Sequence, residues 1–374
     1  MASNHRPNQI YFPPPRGNWE RFDALPTKGF QSAIDHALKN ESLLDRNIQK
    51  ALENRAFAEP PPWGDIIGKT RSREDPHGLI ILNGKVAAKW GDTQRPDITF
   101  SVAKSFLSIC AGLLQDDGLI PDFDAPISDL VNDGGFDSPH NKSITWRQMM
   151  QMTSEWQGSM WGKPDQVDHN RDLNVAPKDN ADKGNERALK SPGAHWEYND
   201  VRVNRLALAL LRVAERPLPD LLRERIMDPI GASNDWEWHG YKNSWVEINN
   251  QNIQSVSGGS HWGGGMFISS EDQARVGYLM LNKGIWNGER LLSEHYVDQA
   301  FAPCNINQDY GLFWWLNNSQ TRLPSATKTG FCAVGFGSNM IWVEPDYNLV
   351  AVVRWIEGRA FDKFCGEVLK ILKT

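Results

Sequence analysis

The stretch SVAKSFLSICAGLL, residues 101–114, decides how this chain is read. Ser101 is followed three residues later by Lys104. A largely apolar run, Phe106 to Leu114, follows and ends at Asp116-Asp117-Gly118, where Gly118 suits a helix C-terminus. A helix opening at Ser101 places Lys104 one turn on, on the same face. A serine hydroxyl is a poor nucleophile until a base takes its proton. A lysine amine can do this when neutral, a state that burial and a second nearby cation favour. The start of such a helix also aims backbone N–H groups at the place where a reacting carbonyl becomes negative. The spacing alone is cheap: Ser-x-x-Lys recurs at Ser325–Lys328, and a serine at a helix start can be a plain N-cap.

Working outward, two more segments carry chemistry. Tyr198-Asn199-Asp200 follows PGAHWE (192–197) and precedes the helical run Leu206–Leu211. Lys328-Thr329-Gly330, the only Lys-Ser/Thr-Gly triplet, precedes the strand-like, Gly-rich FCAVGFG (331–337).

In this order the three elements resemble the serine β-lactamase, penicillin-binding-protein and family VIII esterase superfamily, whose members carry Ser-x-x-Lys, Tyr-x-Asn and Lys/His-Thr/Ser-Gly. Further segments are similar to that family's: ITWRQMMQMTS (144–154), GGGMFISSEDQARVG (263–277) and YGLFWW (310–315). The resemblance runs from about Leu79 to Trp355, and the ordered set is far more specific than any one piece. It implies an α/β (α+β) β-lactamase/transpeptidase-like fold, an antiparallel sheet flanked by helices with an inserted, mostly helical region. The whole chain, 1–374, would form one such unit. Residues 1–100 with 255–374 would make the α/β region, and 101–254 the mainly helical one.

The resemblance also implies roles. Ser101 is the acylated nucleophile, and Lys104 and Tyr198 share the proton traffic. Lys328 lines the site on an edge strand, Thr329 and Gly330 lie along the substrate, and the N–H groups of Ser101 and Phe331 form the oxyanion hole. One position departs: the family's Tyr-x-Asn is Tyr198-x-Asp200. An ionised aspartate accepts hydrogen bonds but donates none. Asp200 could hold Lys104 charged, or it could orient Lys104 or a substrate amine. Tyr241-Lys242-Asn243 matches the motif literally, but no helix-like run follows it.

Composition sets the outer limits. Of 374 residues, 40% are apolar, enough for a sizeable core, and the net charge of −6 comes from interspersed signs, which argues against nucleic-acid binding. No apolar run reaches the roughly 18 residues a membrane helix needs. The beginning, MASNHRPNQIYFPPPRGNW, has no secretory pattern, so a cytoplasmic location is expected. The four cysteines are scattered and read as free thiols, Cys110 as core. No metal-ligand spacing, GxSxG elbow, GxGxxG or P-loop occurs, so no cofactor or metal is expected. His261 reads as a structural histidine, while Trp156, Trp161 and Trp262 are candidates for the wall of an apolar pocket.

Along the chain, residues 1–29 read as an extended arm and Phe30 to Phe57 as a helix. Asn83-Gly84 marks a hairpin turn, and residues 158–190 form a long polar excursion. A second hairpin turns at Glu344–Asp346, and a last amphipathic helix covers 361–372. The expected function is a serine hydrolase acting on esters or amides of small molecules, with no membrane partner. β-Lactamase or D-amino-acid peptidase action, acyl transfer, and a catalytically silent binding protein of the same fold remain open.

Overall fold

The computed structural model describes residues 10–15, 19–21, 27–54, 56, 57, 59, 61–174 and 179–373. The stretch read as an extended arm, 1–29, lies mostly outside these residues.

Six antiparallel strands form the main sheet. They are β1 (His77–Leu82), β2 (Lys85–Trp90), β3 (Trp315–Leu316), β4 (Phe331–Gly335), β5 (Asn339–Glu344) and β6 (Leu349–Arg354), in the spatial order β3-β4-β5-β6-β1-β2. Both ends of the sequence therefore build one sheet, as the strand distribution leads one to expect. Asn83 and Gly84 turn the β1–β2 hairpin with φ of 50° and 81°, the positive values such a turn needs. Side chains alternate across the strands. Leu79, Ile81, Ile341, Val343, Val350 and Val352 face one core; Ile80, Leu82, Trp342, Ala351 and Val353 face another. Helices cover both faces, which explains why β1, β5 and β6 are buried along their whole length.

Helix α1 (Gln31–Lys39) and the C-terminal helix α6 (Phe361–Leu372) close the second core with Ala33, Ile34, Ala37, Phe361, Phe364 and Val368. The helix expected from Phe30 to Phe57 is in fact two, α1 and α2 (Ile48–Glu53). It breaks because Glu41 forms a bridge to Ile356 and the Ser42 N–H donates to Trp355 O at 2.7 Å, so the backbone there serves the sheet. Asn47 restarts the helix by accepting from the Lys50 N–H.

On the other face lie α3 (Val102–Asp116) and α5 (Ser270–Leu281), with α4 (Asp200–Ala214) packed against α3. Helix α3 is buried from Val102 to Leu114, its apolar residues together with Lys104, Ser105 and Ser108. A second sheet of four strands, ordered Asp97–Ile98, Gly265–Ile268, Glu237–Ile248 and Gln251–Val256, lies beside it. Its long hairpin falls within the stretch read as mainly helical. All four cysteines are free and buried. No helix among the described residues is long and apolar enough to cross a membrane.

Candidate active site

Ser101 stands at the head of α3, and its side chain caps no backbone N–H, which removes the N-cap explanation for it. The residue before it, Phe100, has φ of 49°, a left-handed conformation rare for a bulky side chain and concentrated at functional sites. Room for it comes from Gly259, where a Cβ would fall 1.9 Å from Phe100 O.

Lys104 Nζ lies 2.6 Å from Ser101 Oγ. It also lies 3.1 Å from Gly258 O and 2.6 Å from Asp200 Oδ1, and its side chain is 2% exposed. Three partners surround one nitrogen. A neutral amine has two N–H groups and one lone pair, so donating to Gly258 O and Asp200 directs the lone pair at the serine hydroxyl. Gly258 is held in turn by its N–H donating to Asn204 Oδ1 at 3.2 Å.

Asp200 is the first residue of α4, after Asn199, whose side chain accepts from the N–H groups of Val201 and Arg202. The Asp200 N–H donates to Asp168 Oδ2 at 2.8 Å. Its carboxylate meets Arg171 Nη1 at 2.9 Å and His261 Nδ1 at 3.2 Å besides Lys104. Burial alone would raise the Asp200 carboxyl. Lys104, Arg171 and His261 overcome this and hold it well below the usual carboxylate range. Asp168 is likewise lowered against its burial, by Arg171, Lys183 and His261.

Tyr198 is buried beside Lys104, whose Nζ is 5.2 Å from the ring centroid; the Arg171 guanidinium is at the same distance. Trp315 stacks on it at 6.0 Å, and Tyr310 meets it edge-on. The aromatic residues around Tyr198 are thus Trp196, Tyr310 and Trp315. Trp156 and Trp262 are core residues whose indole N–H groups donate to Gly135 O and Trp63 O. Tyr241 lies on a strand, buried against Asn204, Ser257 and Ser260, and takes no part at Ser101.

The third motif falls elsewhere. Lys328 and Thr329 are exposed in a turn before β4. Thr329 Oγ1 is 2.8 Å from Thr327 Oγ1, and Gly330 lies against Glu344. Phe331 opens β4 and is buried against Phe301 and Trp314. The opposite end of β4 approaches the serine: a Cβ on Gly335 would fall 2.0 Å from Thr99 O and 3.2 Å from Ser101 N. Four residues of strand, about 13 Å, separate the two ends. The structure therefore brings Ser101, Lys104, Tyr198 and Asp200 together, and puts Ala333-Val334-Gly335, rather than Lys328-Thr329-Gly330, on the strand segment leading to the nucleophile.

A cavity of about 150 Å3 adjoins this cluster, lined by Phe57, Arg171, Leu173, Asn180, Lys183 and Phe336. Asp168, Asp200 and His261 also bring possible ligand atoms within 4.8 Å of one another. Arg171 and Lys183 already lie on those carboxylates, so side-chain cations occupy the positions a metal ion would take. Sequence reading missed Arg171, Asp168, Lys183 and Gly335. The second glycine run, Gly335-Phe336-Gly337, was the one local sign of Gly335.

A model of the beta-lactamase family matches residues 80–355, most of the chain. The chain belongs to the beta-lactamase family. Solved structures with this fold include a family VIII carboxylesterase, 14% identical, with a TM-score of 0.57 over 92% of this chain and 97% of that one. EstCE1, described as a hydrolase with promiscuous acyltransferase activity, is 13% identical with a TM-score of 0.57 over 91% and 99%. A penicillin-binding-protein homologue from Caulobacter crescentus is 13% identical with a TM-score of 0.55 over 87% and 96%. At these identities the likeness is one of fold. An uncharacterized protein of Alkalihalophilus pseudofirmus is 26% identical over 153 residues, spanning 38% of this family member and 39% of that relative's own length.

Proposed function

We propose that this chain is a serine hydrolase that cleaves ester or amide bonds of small substrates through an acyl-Ser101 intermediate. The observation that carries the reading is the 2.6 Å contact between Ser101 Oγ and Lys104 Nζ, with Gly258 and Asp200 occupying the other directions around that nitrogen. Lys104 takes the hydroxyl proton as Oγ attacks the substrate carbonyl. The proton then passes, through Lys104 or Tyr198, to the leaving alcohol or amine, and water releases the acyl group by the same steps. In this reading Asp200 orients Lys104, from 2.6 Å, in place of the asparagine of Tyr-x-Asn.

The oxyanion donors in this reading are the N–H groups of Ser101 and Phe336, the residue after Gly335. Phe331 sits at the far end of the strand and is replaced in that role. The strand segment by the serine carries Ala333, Val334 and Gly335, with no cation or hydroxyl for the carboxylate of a β-lactam or D-peptide. That supports ester and small-amide substrates ahead of β-lactams.

The test is turnover of p-nitrophenyl butyrate by the wild type and Ser101→Ala, with intact masses taken early. The expected result is turnover and a butyryl adduct in the wild type alone. Turnover by Ser101→Ala, or a wild type that neither turns over esters and amides nor takes a fluorophosphonate on Ser101, would overturn the reading.

Gly335→Ala tests the placement of β4. The added methyl has no room beside Thr99 O, so the strand must shift away from Ser101. A displacement of about 1 Å costs on the order of a hundredfold in rate. The expected outcome is a loss of that order in kcat with a cooperative thermal transition retained, whereas Lys328→Ala keeps wild-type kcat.

A further inference from the structure

The cavity beside Lys104 and Asp200 combines apolar walls with a guanidinium. Phe57 and Phe336 meet in its wall, ring centroids 4.1 Å apart, and Leu173, partly exposed, lines it as well. Phe336 follows Gly335, the strand position that faces Ser101 N. Arg171, also in the wall, bears on Asp200, and Asp200 on Lys104. The cavity therefore adjoins the nucleophile through two separate elements.

Arg171 uses only part of its guanidinium inside the protein. Its side chain is 11% exposed, and both of its carboxylate contacts, Asp200 at 2.9 Å and Asp168 at 3.6 Å, are made by Nη1. Its plane lies 5.2 Å from the centre of the Tyr198 ring. Among the described residues, Nε and Nη2 have no hydrogen-bond partner, and neither is shut away from solvent. A guanidinium binds a carboxylate best with two parallel N–H groups, and the Nε–Nη2 edge is such a fork. The other polar groups in the wall are engaged. Lys183 Nζ donates to Phe57 O at 3.2 Å and to Glu59 at 2.6 Å. The Asn180 amide bonds the Asp172 backbone in both directions, and the Asp172 carboxylate accepts from Asn174.

We propose that the Nε–Nη2 edge of Arg171 binds a carboxylate of the substrate, carried by a short methylene chain that lies against Phe57, Leu173 and Phe336. The class of substrate is thus an anionic ester or amide. This rests on the acyl-Ser101 reading given above. Seen from Ser101, Arg171 lies beyond Asp200 and off the strand segment beside the serine. The carboxylate it takes is therefore several bonds from the scissile carbonyl, unlike that of a β-lactam, which sits close to the bond that breaks.

The experiment compares kcat/KM for the p-nitrophenyl half-ester of glutarate with that for p-nitrophenyl valerate, an uncharged ester of the same chain length. A second pair, 4-butyryloxybenzoate and phenyl butyrate, moves the carboxylate to the leaving group. The wild type is expected to favour the anion in one of the pairs by at least about tenfold, the lower end for hydrogen bonds to a charged group. Arg171→Gln should bring that ratio close to one, whatever it does to both rates through Asp200. Leu173→Glu leaves Arg171 and its contact with Asp200 in place but sets a carboxylate beside the open edge, and it should abolish the preference too. No preference in the wild type overturns the proposal. So does a preference that survives both substitutions, since Arg171 would then be only a structural partner of Asp200. Should the wild type turn over no ester, the hydrolase reading fails, and ligand-observed NMR with glutarate and valerate decides the subsite. Glutarate bound in preference by the wild type and released by Leu173→Glu supports it; equal behaviour of the two acids overturns it.

Discussion

Lys104→Ala is expected to slow acylation of Ser101 by roughly 10²–10⁴-fold, the range a positioned general base supplies. The fold should persist. Asp200 loses one partner but keeps Arg171 at 2.9 Å and His261 at 3.2 Å, so no carboxylate is left alone in the interior. Helix α3 loses none of its apolar face, and alanine is the best helix former. The check pairs the rate of adduct formation by intact mass with a thermal melt. Acylation near the wild-type rate would remove Lys104 from the role of base and pass it to Tyr198. A collapsed melt would mean that the Lys104–Asp200 pair holds the fold as well as the chemistry.

The largest expected loss of stability is at Arg202, on α4 two residues past Asp200. Its side chain is fully buried. Nε and Nη2 donate to Asp165 at 2.7 and 3.0 Å, Nη1 to Glu155 at 2.9 Å and Nη2 to Glu197 at 3.2 Å. Arg187 shares Glu155 and Glu197, at 2.7 and 2.6 Å. Arg202→Leu leaves three buried carboxylates with one guanidinium and His169, and breaking a buried network in this way costs about 3–5 kcal/mol.

The same cluster gives an acid signature. Burial pushes the Glu155 carboxyl up, but hydrogen bonds from Arg187, the charge of Arg202 and the Lys190 N–H bring it down to about 2 from an ordinary 4.5. A carboxyl lowered on folding stabilises the protein fully above its unfolded value, and that contribution is lost as pH falls through its folded value. Wild-type stability should therefore drop as pH falls from about 4.5 toward 2, and Arg202→Leu should flatten that drop. Urea unfolding over this range measures both effects. A variant as stable as wild type, with the same acid slope, would mean the network adds nothing. Asn199 Nδ2 donates to Asp165, so the network also fixes the start of α4, where Tyr198 and Asp200 sit.

Some of this architecture was legible because it is local. Ser101 and Lys104 are one helical turn apart, so any helix through residues 101–114 faces them together. Tyr198 and Asp200 lie in one short segment ahead of the helical run Leu206–Leu211. Asn83-Gly84 can turn a hairpin whatever else the chain does. These are consequences of backbone geometry within a few residues, and the sequence by itself determined them, with the order of the motifs indicating the family.

Other features were decided only by contacts between distant segments. The helix read across residues 30–57 breaks because Glu41 and Ser42 bond to the end of β6, some three hundred residues later. Gly335, not the Lys-Thr-Gly triplet, meets Ser101, because the path of β4 across the sheet sets which of its ends reaches the helix. The charges behind Lys104 come from Glu59, Asp168, Arg171, Lys183, Asp200 and His261, four separate stretches that no spacing rule connects. Each residue alone looks like a solvated surface group. Tertiary structure buries them together, and once water is excluded each carboxylate has to meet a cation or a hydrogen-bond donor of the protein.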